Sequence, residues 1–204
     1  MGRSFELYDI EESKEQGTST QNSAGEPSAL YAEDGAGAER IITLACDINE
    51  LSIATAMTHL MLFAQQSSTL PVNMIVNTYG GSTDEMFALY DMMKLVKCPI
   101  YTVGLGKIMS AGVLILSAGE KGHRKIGSNA RVMMHPISSL TRGTVFSVDN
   151  ELVEMKRIQK QMEKCLAQET NMSKKQIKKL MVKNSDTYIT ANEAVKRGIV
   201  DSLI

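Results

Sequence analysis

The sequence predicts an α/β domain built on a mainly parallel sheet. From Arg40 onward, short apolar runs of strand length alternate with longer amphipathic segments, and the runs read as continuous apolar stretches. That combination implies a parallel sheet covered by helices on both faces. With 204 residues the chain can form one sizeable core, or one domain and a polar appendage. Its 43% hydrophobic and 22% charged residues place it among ordinary globular proteins.

The elements follow in order. Residues 1–38 read as a mobile polar segment, because 11–38 are small, polar and acidic and cannot bury enough apolar surface to offset their ordering entropy. The short apolar patch Phe5-Glu6-Leu7-Tyr8 precedes that stretch. Residues 39–204 form the folded domain, and no internal repeat is visible. Ile41-Ile42-Thr43-Leu44 reads as a strand, and Asn49 to Gln65 as a helix with Leu51, Ala54, Met57, Leu60, Met61 and Ala64 apolar. Val72 to Val76 is a second strand, which runs into Asn77-Thr78-Tyr79-Gly80-Gly81-Ser82. A second helix, Thr83 to Leu95, ends near Cys98-Pro99. Ile100 to Val103 is a third strand, leading through Gly104 and Gly106 to Ser110 and an apolar helix, Ala111 to Ala118. Lys125-Ile126 and Arg131 to Met134 are short strands, the second stopping at His135-Pro136. Ser147 to Glu169 is a long helix with Val148, Leu152, Met155, Ile158, Met162 and Cys165 on one stripe. Capping boxes follow at Ser173–Gln176 and Thr190–Glu193, and Gly198 closes the last helix.

Composition narrows the function. A net charge of −1 gives no reason to expect nucleic acid as a partner. No apolar run reaches the roughly 20 residues that span a bilayer, so no membrane role is expected. The N-terminus lacks the basic-then-apolar pattern of a secretory signal. Cys46, Cys98 and Cys165 are odd in number, far apart and set among apolar neighbours, as buried free thiols of a reducing compartment would be. No metal-ligand spacing is present. Together these predict a cytoplasmic protein.

The chemistry-bearing residues are a serine, a histidine and an aspartate, in the order Ser110, His135, Asp186, each at the edge of an element. Serine attacks a carbonyl only when an imidazole takes its proton, and the imidazole needs a carboxylate to fix its tautomer. Ser110 opens an apolar helix after a glycine-bearing turn, which exposes its hydroxyl and offers the Ala111 amide as an oxyanion donor. A serine there is also an ordinary helix cap. The paired glycines Gly80-Gly81 let backbone approach a ligand closely and make the Gly81 amide a second donor. His59 lies in a predicted helix and His123 in a charged turn, so His135 is the candidate base. Asp91, Asp149 and Asp201 compete with Asp186 on spacing alone.

The order of these signals resembles the Clp protease proteolytic subunit (ClpP) family. The segments that carry the likeness are Asn77–Ser82, Tyr90-Asp91, Gly104–Gly112, Ala118–Gly122, Asn129–His135 and Glu193–Asp201, spread from about Arg40 to the C-terminus. The resemblance implies a crotonase-like α/β fold of repeated β-β-α units with a protruding handle helix, here about residues 147–170. It implies a self-compartmentalised homo-oligomer of seven-membered rings, often stacked in pairs, fed with unfolded chains by an AAA+ unfoldase. It also implies a serine endopeptidase whose nucleophile is Ser110, base His135 and orienting acid Asp186, with the Gly81 and Ala111 amides as oxyanion hole. No metal or organic cofactor is required.

The chain departs from the family pattern at several points. The usual His-Gln-Pro is His135-Pro136-Ile137, and the following glycine pair is Ser138-Ser139. The Asp-Arg pair expected before the catalytic aspartate is Asn184-Ser185, and the tyrosines of the unfoldase-docking strand are replaced in Asn73-Met74-Ile75-Val76. The stretch 11–38 is an insertion at the axial entrance. These changes motivate a second expectation, a catalytically weak ring subunit that docks on or modulates another Clp core. A crotonase-fold acyl-CoA enzyme is a third, though it leaves the Ser/His/Asp set unexplained.

Overall fold

A computed structural model of the chain describes residues 40–181 and 185–204. The polar segment 1–38, with its Phe5–Tyr8 patch, lies outside the described residues. In chain order the elements are β1 (Ile41–Leu44), α1 (Glu50–Gln66), β2 (Val72–Thr78), α2 (Thr83–Leu95), β3 (Ile100–Met109), α3 (Ala111–Ser117), β4 (Arg124–Ile126), β5 (Arg131–Met134), α4 (Val145–Glu169), α5 (Lys174–Met181), β6 (Thr187–Thr190), α6 (Ala191–Lys196) and β7 (Ser202–Leu203). The sheet runs β1-β2-β3-β4-β7 with parallel pairing throughout. A second branch leaves the far half of β3, which pairs parallel with β5, and β5 pairs antiparallel with β6. β3 is therefore the fork of the fold. Thr102–Gly104 of β3 face β4, and Lys107–Met109 face β5.

Most element limits agree with the sequence reading, and three differences have physical causes. First, β3 was expected to end at Val103 but continues to Met109. Of the glycines read there as turn signals, Gly104 pairs in register with Val76, and Gly106 sits in a bulge opposite β2, where the register shifts between Val76 and Thr78. Second, among the described residues the sheet is not covered by helices on both faces. Burial alternates along β1, β2 and the first half of β3, because α1, α2 and α3 touch one another in a single layer on one face. Asn73, Ile75, Tyr101 and Val103 are half-buried on the other. Third, the apolar stripe of α4 is not core along its whole length. Met162, Cys165 and Leu166 are buried, whereas Phe146 is 82% exposed and Leu152 46% exposed, so the N-terminal half stands off the domain.

Caps fix several helix ends. Asn49 and Ser52 make a reciprocal capping box on α1, and Thr144 caps α4. The boxes at Ser173–Gln176 and Thr190–Glu193 form as expected. At Gly198, with φ 68, the Gly198 amide bonds Val195 and the Ile199 amide bonds Ala194, which satisfies the last carbonyls of α6.

The C-terminal half is tied to the sheet by a buried cation. Arg124, 3% exposed, donates from Nε and Nη2 to the two oxygens of Asp201 at 3.0 and 2.6 Å. Its Nη1 donates to the Ser117 and Glu169 carbonyls at 3.1 and 2.6 Å. One guanidinium thus joins β4, α3, the end of α4 and the approach to β7, with a fork geometry that lysine cannot copy. The Glu169 carboxylate continues the network, accepting from Tyr90 Oη at 2.8 Å and pairing with Lys94 Nζ at 2.9 Å. Burial, with Glu169 alongside, pushes the Tyr90 phenol far up. Burial works to raise the Asp201 carboxyl as well, but hydrogen bonds from the Arg124 side chain and the Arg124 and Gly122 amides outweigh it and hold the group below the usual carboxylate range.

Two outcomes follow from this network. Arg124→Met should lower the unfolding free energy measured by urea titration by on the order of 3 kcal/mol, because it strands two carbonyls and a partly buried carboxylate. A change under about 0.5 kcal/mol would mean the network contributes little. Asp201 titrates lower folded than unfolded, so its stabilisation is complete above about pH 4 and drains away as the pH falls below that. In thermal melts from pH 5 to pH 2.5, Asp201→Asn should start less stable than the parent and converge with it at the acid end.

Candidate active site

The cleft lies just past the C-terminal ends of β3 and β5. Its floor is set by a backbone constraint at the junction of β3 and α3. Ser110 sits at φ 53 and ψ −121, the one non-glycine residue with positive φ among those described. Such a state costs a serine roughly 1–3 kcal/mol and persists only where neighbours hold it. The Ser110 amide donates to the Met133 carbonyl at 2.8 Å, extending the β3–β5 pairing by one residue. Ser110 is not a side-chain helix cap, since its hydroxyl makes no capping bond. Instead Ser110 Oγ is 2.7 Å from His135 Nε2. His135 follows directly on β5, so the same strand pairing that fixes the serine backbone also brings the imidazole.

The oxyanion candidates come from two turns that interlock. Gly80 and Gly81 have φ 102 and 148. A Cβ on Gly80 would stand 2.6 Å from Ser110 Cβ, and one on Gly81 would collide with the Ile48 carbonyl, so neither position accepts a side chain. Ile48 holds this turn from outside, donating to the Gly80 carbonyl and accepting from the Ser82 amide, both at 2.8 Å. Gly81 takes no part in those bonds. It lines a small cleft with Ser110, Ala111 and His135, walled by Thr83, Pro136, Ile137, Ser138 and Met162. Ala111 begins α3, so its amide is among the helix N–H groups without a partner in the preceding turn. A hydroxyl bonded to an imidazole beside two glycine-loop and helix-start amides is equipped for nucleophilic attack on a carbonyl.

Four of the five expected site residues therefore come together, and the fifth stands differently. The β5–β6 ladder pairs Met134 with Thr187, so His135 and Asp186 lie next to each other just past its end. The Asp186 side chain is exposed, and no hydrogen bond or ion pair joins it to His135. Of its rivals, Asp201 is committed to Arg124. His59 bonds the Thr55 carbonyl within α1, and His123 stacks on Tyr101 with ring centroids 4.0 Å apart, so neither is the base of this cleft. Of the Asn184-Ser185 substitution, Asn184 falls outside the described residues.

One residue of the site was not visible in the sequence pattern. Gln159, on α4, accepts the Ile137 amide at 2.9 Å and donates to Glu163 at 2.9 Å. It thereby holds the segment after His135 against the long helix. Pro136 has no amide to offer a strand partner, and Gln159 occupies the next one.

Comparisons with known proteins identify the family of the chain. A sequence model of the Clp protease family matches residues 30–204. The chain is 30% identical over 166 residues to the ATP-dependent Clp protease proteolytic subunit 4 of Rhodococcus jostii, covering 81% of this chain and 84% of that one. It is 32% identical over 166 residues to proteolytic subunit 1 of Corynebacterium glutamicum, covering 81% and 79%. It is 34% identical over 167 residues to proteolytic subunit 1 of Bifidobacterium longum, covering 81% and 71%. With the forked parallel sheet and standing α4 helix of the ClpP-type fold, the chain belongs to the Clp protease family.

Proposed function

We propose that this chain is a serine endopeptidase subunit that cleaves unfolded polypeptides or peptides inside a ring-shaped compartment. The observation that carries the reading is the 2.7 Å contact between Ser110 Oγ and His135 Nε2 at the cleft that Gly81 and Ala111 line. His135 takes the Ser110 proton as Oγ adds to the peptide carbonyl, and the Gly81 and Ala111 amides stabilise the oxyanion. The protonated imidazole then gives its proton to the departing amine. Water, deprotonated by the same imidazole, releases the acyl group and restores Ser110. No cofactor enters these steps. Asp186 orients His135 once its carboxylate turns toward the imidazole from its place across the ladder end.

The compartment is a homo-oligomer, a heptamer alone or as a stacked pair, supplied by an AAA+ unfoldase of the Clp family. The exposed half of α4 supports this, since Val145, Phe146, Leu152 and Val153 are too apolar to favour standing in water. A second reading, a catalytically weak ring subunit that docks on or modulates another Clp core, is favoured by the Asp186 carboxylate, which is exposed and not bonded to the imidazole.

Hydrolysis of a fluorogenic peptide by the purified protein separates the two readings, with particle mass measured in the same buffer. Ser110→Ala should leave assembly intact and reduce hydrolysis by more than about 10³-fold. Activity within tenfold of the parent would remove Ser110 from the mechanism. Asp186→Asn should retain the assembly and slow acylation by about 10³- to 10⁴-fold through the wrong imidazole tautomer. Unchanged rates would move the acid role elsewhere. An assembled parent with no activity would favour the modulatory subunit.

A further inference from the structure

Between the fork and Ser110, β3 carries more residues than its neighbour. Its register with β2 holds to Val76–Gly104 and resumes at Thr78–Ile108, so Leu105, Gly106 and Lys107 stand against Asn77 alone. A bulge re-aims the strand that contains it, and its extra residues have no one-to-one partner on β2. Gly106 makes the bend at φ 63 and packs on the Asn77 amide, whose Oδ1 lies 3.4 Å from where a Cβ would stand.

Lys107 reaches back over this bulge to the other strand. Its Nζ donates to Asn77 Oδ1 at 3.0 Å and stands 4.7 Å from the centre of the Tyr79 ring. Tyr79 is 63% exposed, an unusual place for a large ring, and the Lys107 ammonium gives its face a partner. Asn77 and Tyr79 bracket Thr78, whose buried hydroxyl accepts the Gly80 amide at 3.0 Å. Ile48 holds the opposite side of the same turn. The turn is thus tied at Asn77, Thr78, Tyr79, Gly80 and Ser82, and Gly81 is the residue between those ties that lines the cleft.

Resting on the peptidase reading, we infer that Lys107 is a positioning residue for the oxyanion amide. Its ammonium clasps Asn77 and Tyr79, and so keeps the Gly81 turn in step with Ser110, which the same bulge carries three residues further on. Lys107 does not line the cleft, so its effect passes through the turn. A small displacement of an oxyanion donor acts on the transition state and leaves substrate binding nearly untouched.

The test compares Lys107→Met with Lys107→Arg in the assembled protein, using the parent and Ser110→Ala as controls. Lys107→Met keeps the length of the stem and removes the charge. It should lower kcat by about 10- to 100-fold with KM within about twofold, and weaken a peptide boronate inhibitor by a similar factor. Lys107→Arg, which keeps the cation over the ring, should restore most of both. Tyr79→Leu provides a second break in the same clasp and should reproduce part of the Lys107→Met loss, which covers the case in which Lys107→Met fails to assemble. Unchanged kcat in both Lys107→Met and Tyr79→Leu would overturn the inference. So would a rise in KM at constant kcat, or a loss that arginine does not rescue. A parent without Ser110-dependent hydrolysis would instead overturn the peptidase reading, and this inference with it.

Discussion

Ser110 is held in a backbone state that serine avoids, and the neighbouring elements can be understood through what holds it there. At φ 53 the residue cannot belong to β3 or to α3, so the chain reverses direction between them and lifts the hydroxyl out of the sheet. The Met133 carbonyl fixes the serine amide, and Gly80 packs so close that a methyl group there would strike Ser110 Cβ. Each restraint also delivers a functional group. The strand that supplies Met133 leads directly into His135, and the turn that supplies Gly80 continues into Gly81. Strain, candidate base and candidate oxyanion donor therefore meet at one junction.

That junction requires a sheet that divides. β3 must pair with β4 in its first half and β5 in its second, and the bulge opposite Asn77 separates the two pairings. Helices α1 to α3 cover one face and leave the other half-exposed, while the first half of α4 extends apolar residues beyond the domain. Both surfaces suit a chain that works among copies of itself and partners. The Arg124 network secures the other end, joining α3 and α4 to the C-terminal segment so that the cleft wall formed by Met162 has a fixed base.

Much of this was legible in the sequence, for local reasons. The strands at 41–44 and 131–134 and the helix at 83–95 were bounded correctly, because each has a clear apolar run and a cap, proline or polar stop. The continuation of β3 was not legible, since Gly104 and Gly106 signal a turn locally and only pairing with β2 puts Gly104 in the ladder and Gly106 in a bulge. Ser110 and His135 were singled out from their places at element ends, although their 2.7 Å contact depends on a strand pairing that local pattern does not encode. Gln159 gave no local sign, because its role arises from a segment 22 positions away. Asp186 could not be told from other aspartates by spacing, and the β5–β6 register sets it near His135 without a hydrogen bond.

The central claim is that Ser110 is a nucleophile activated by His135 in this cleft. It is tested most directly by treating the assembled protein with a fluorophosphonate and mapping the adduct by peptide mass spectrometry. The account predicts one phosphonyl group per reactive chain, on the peptide that contains Ser110, with labelling lost in His135→Ala although the serine remains. An assembled protein that takes no label, or a label that maps to another residue and persists in Ser110→Ala, would contradict it.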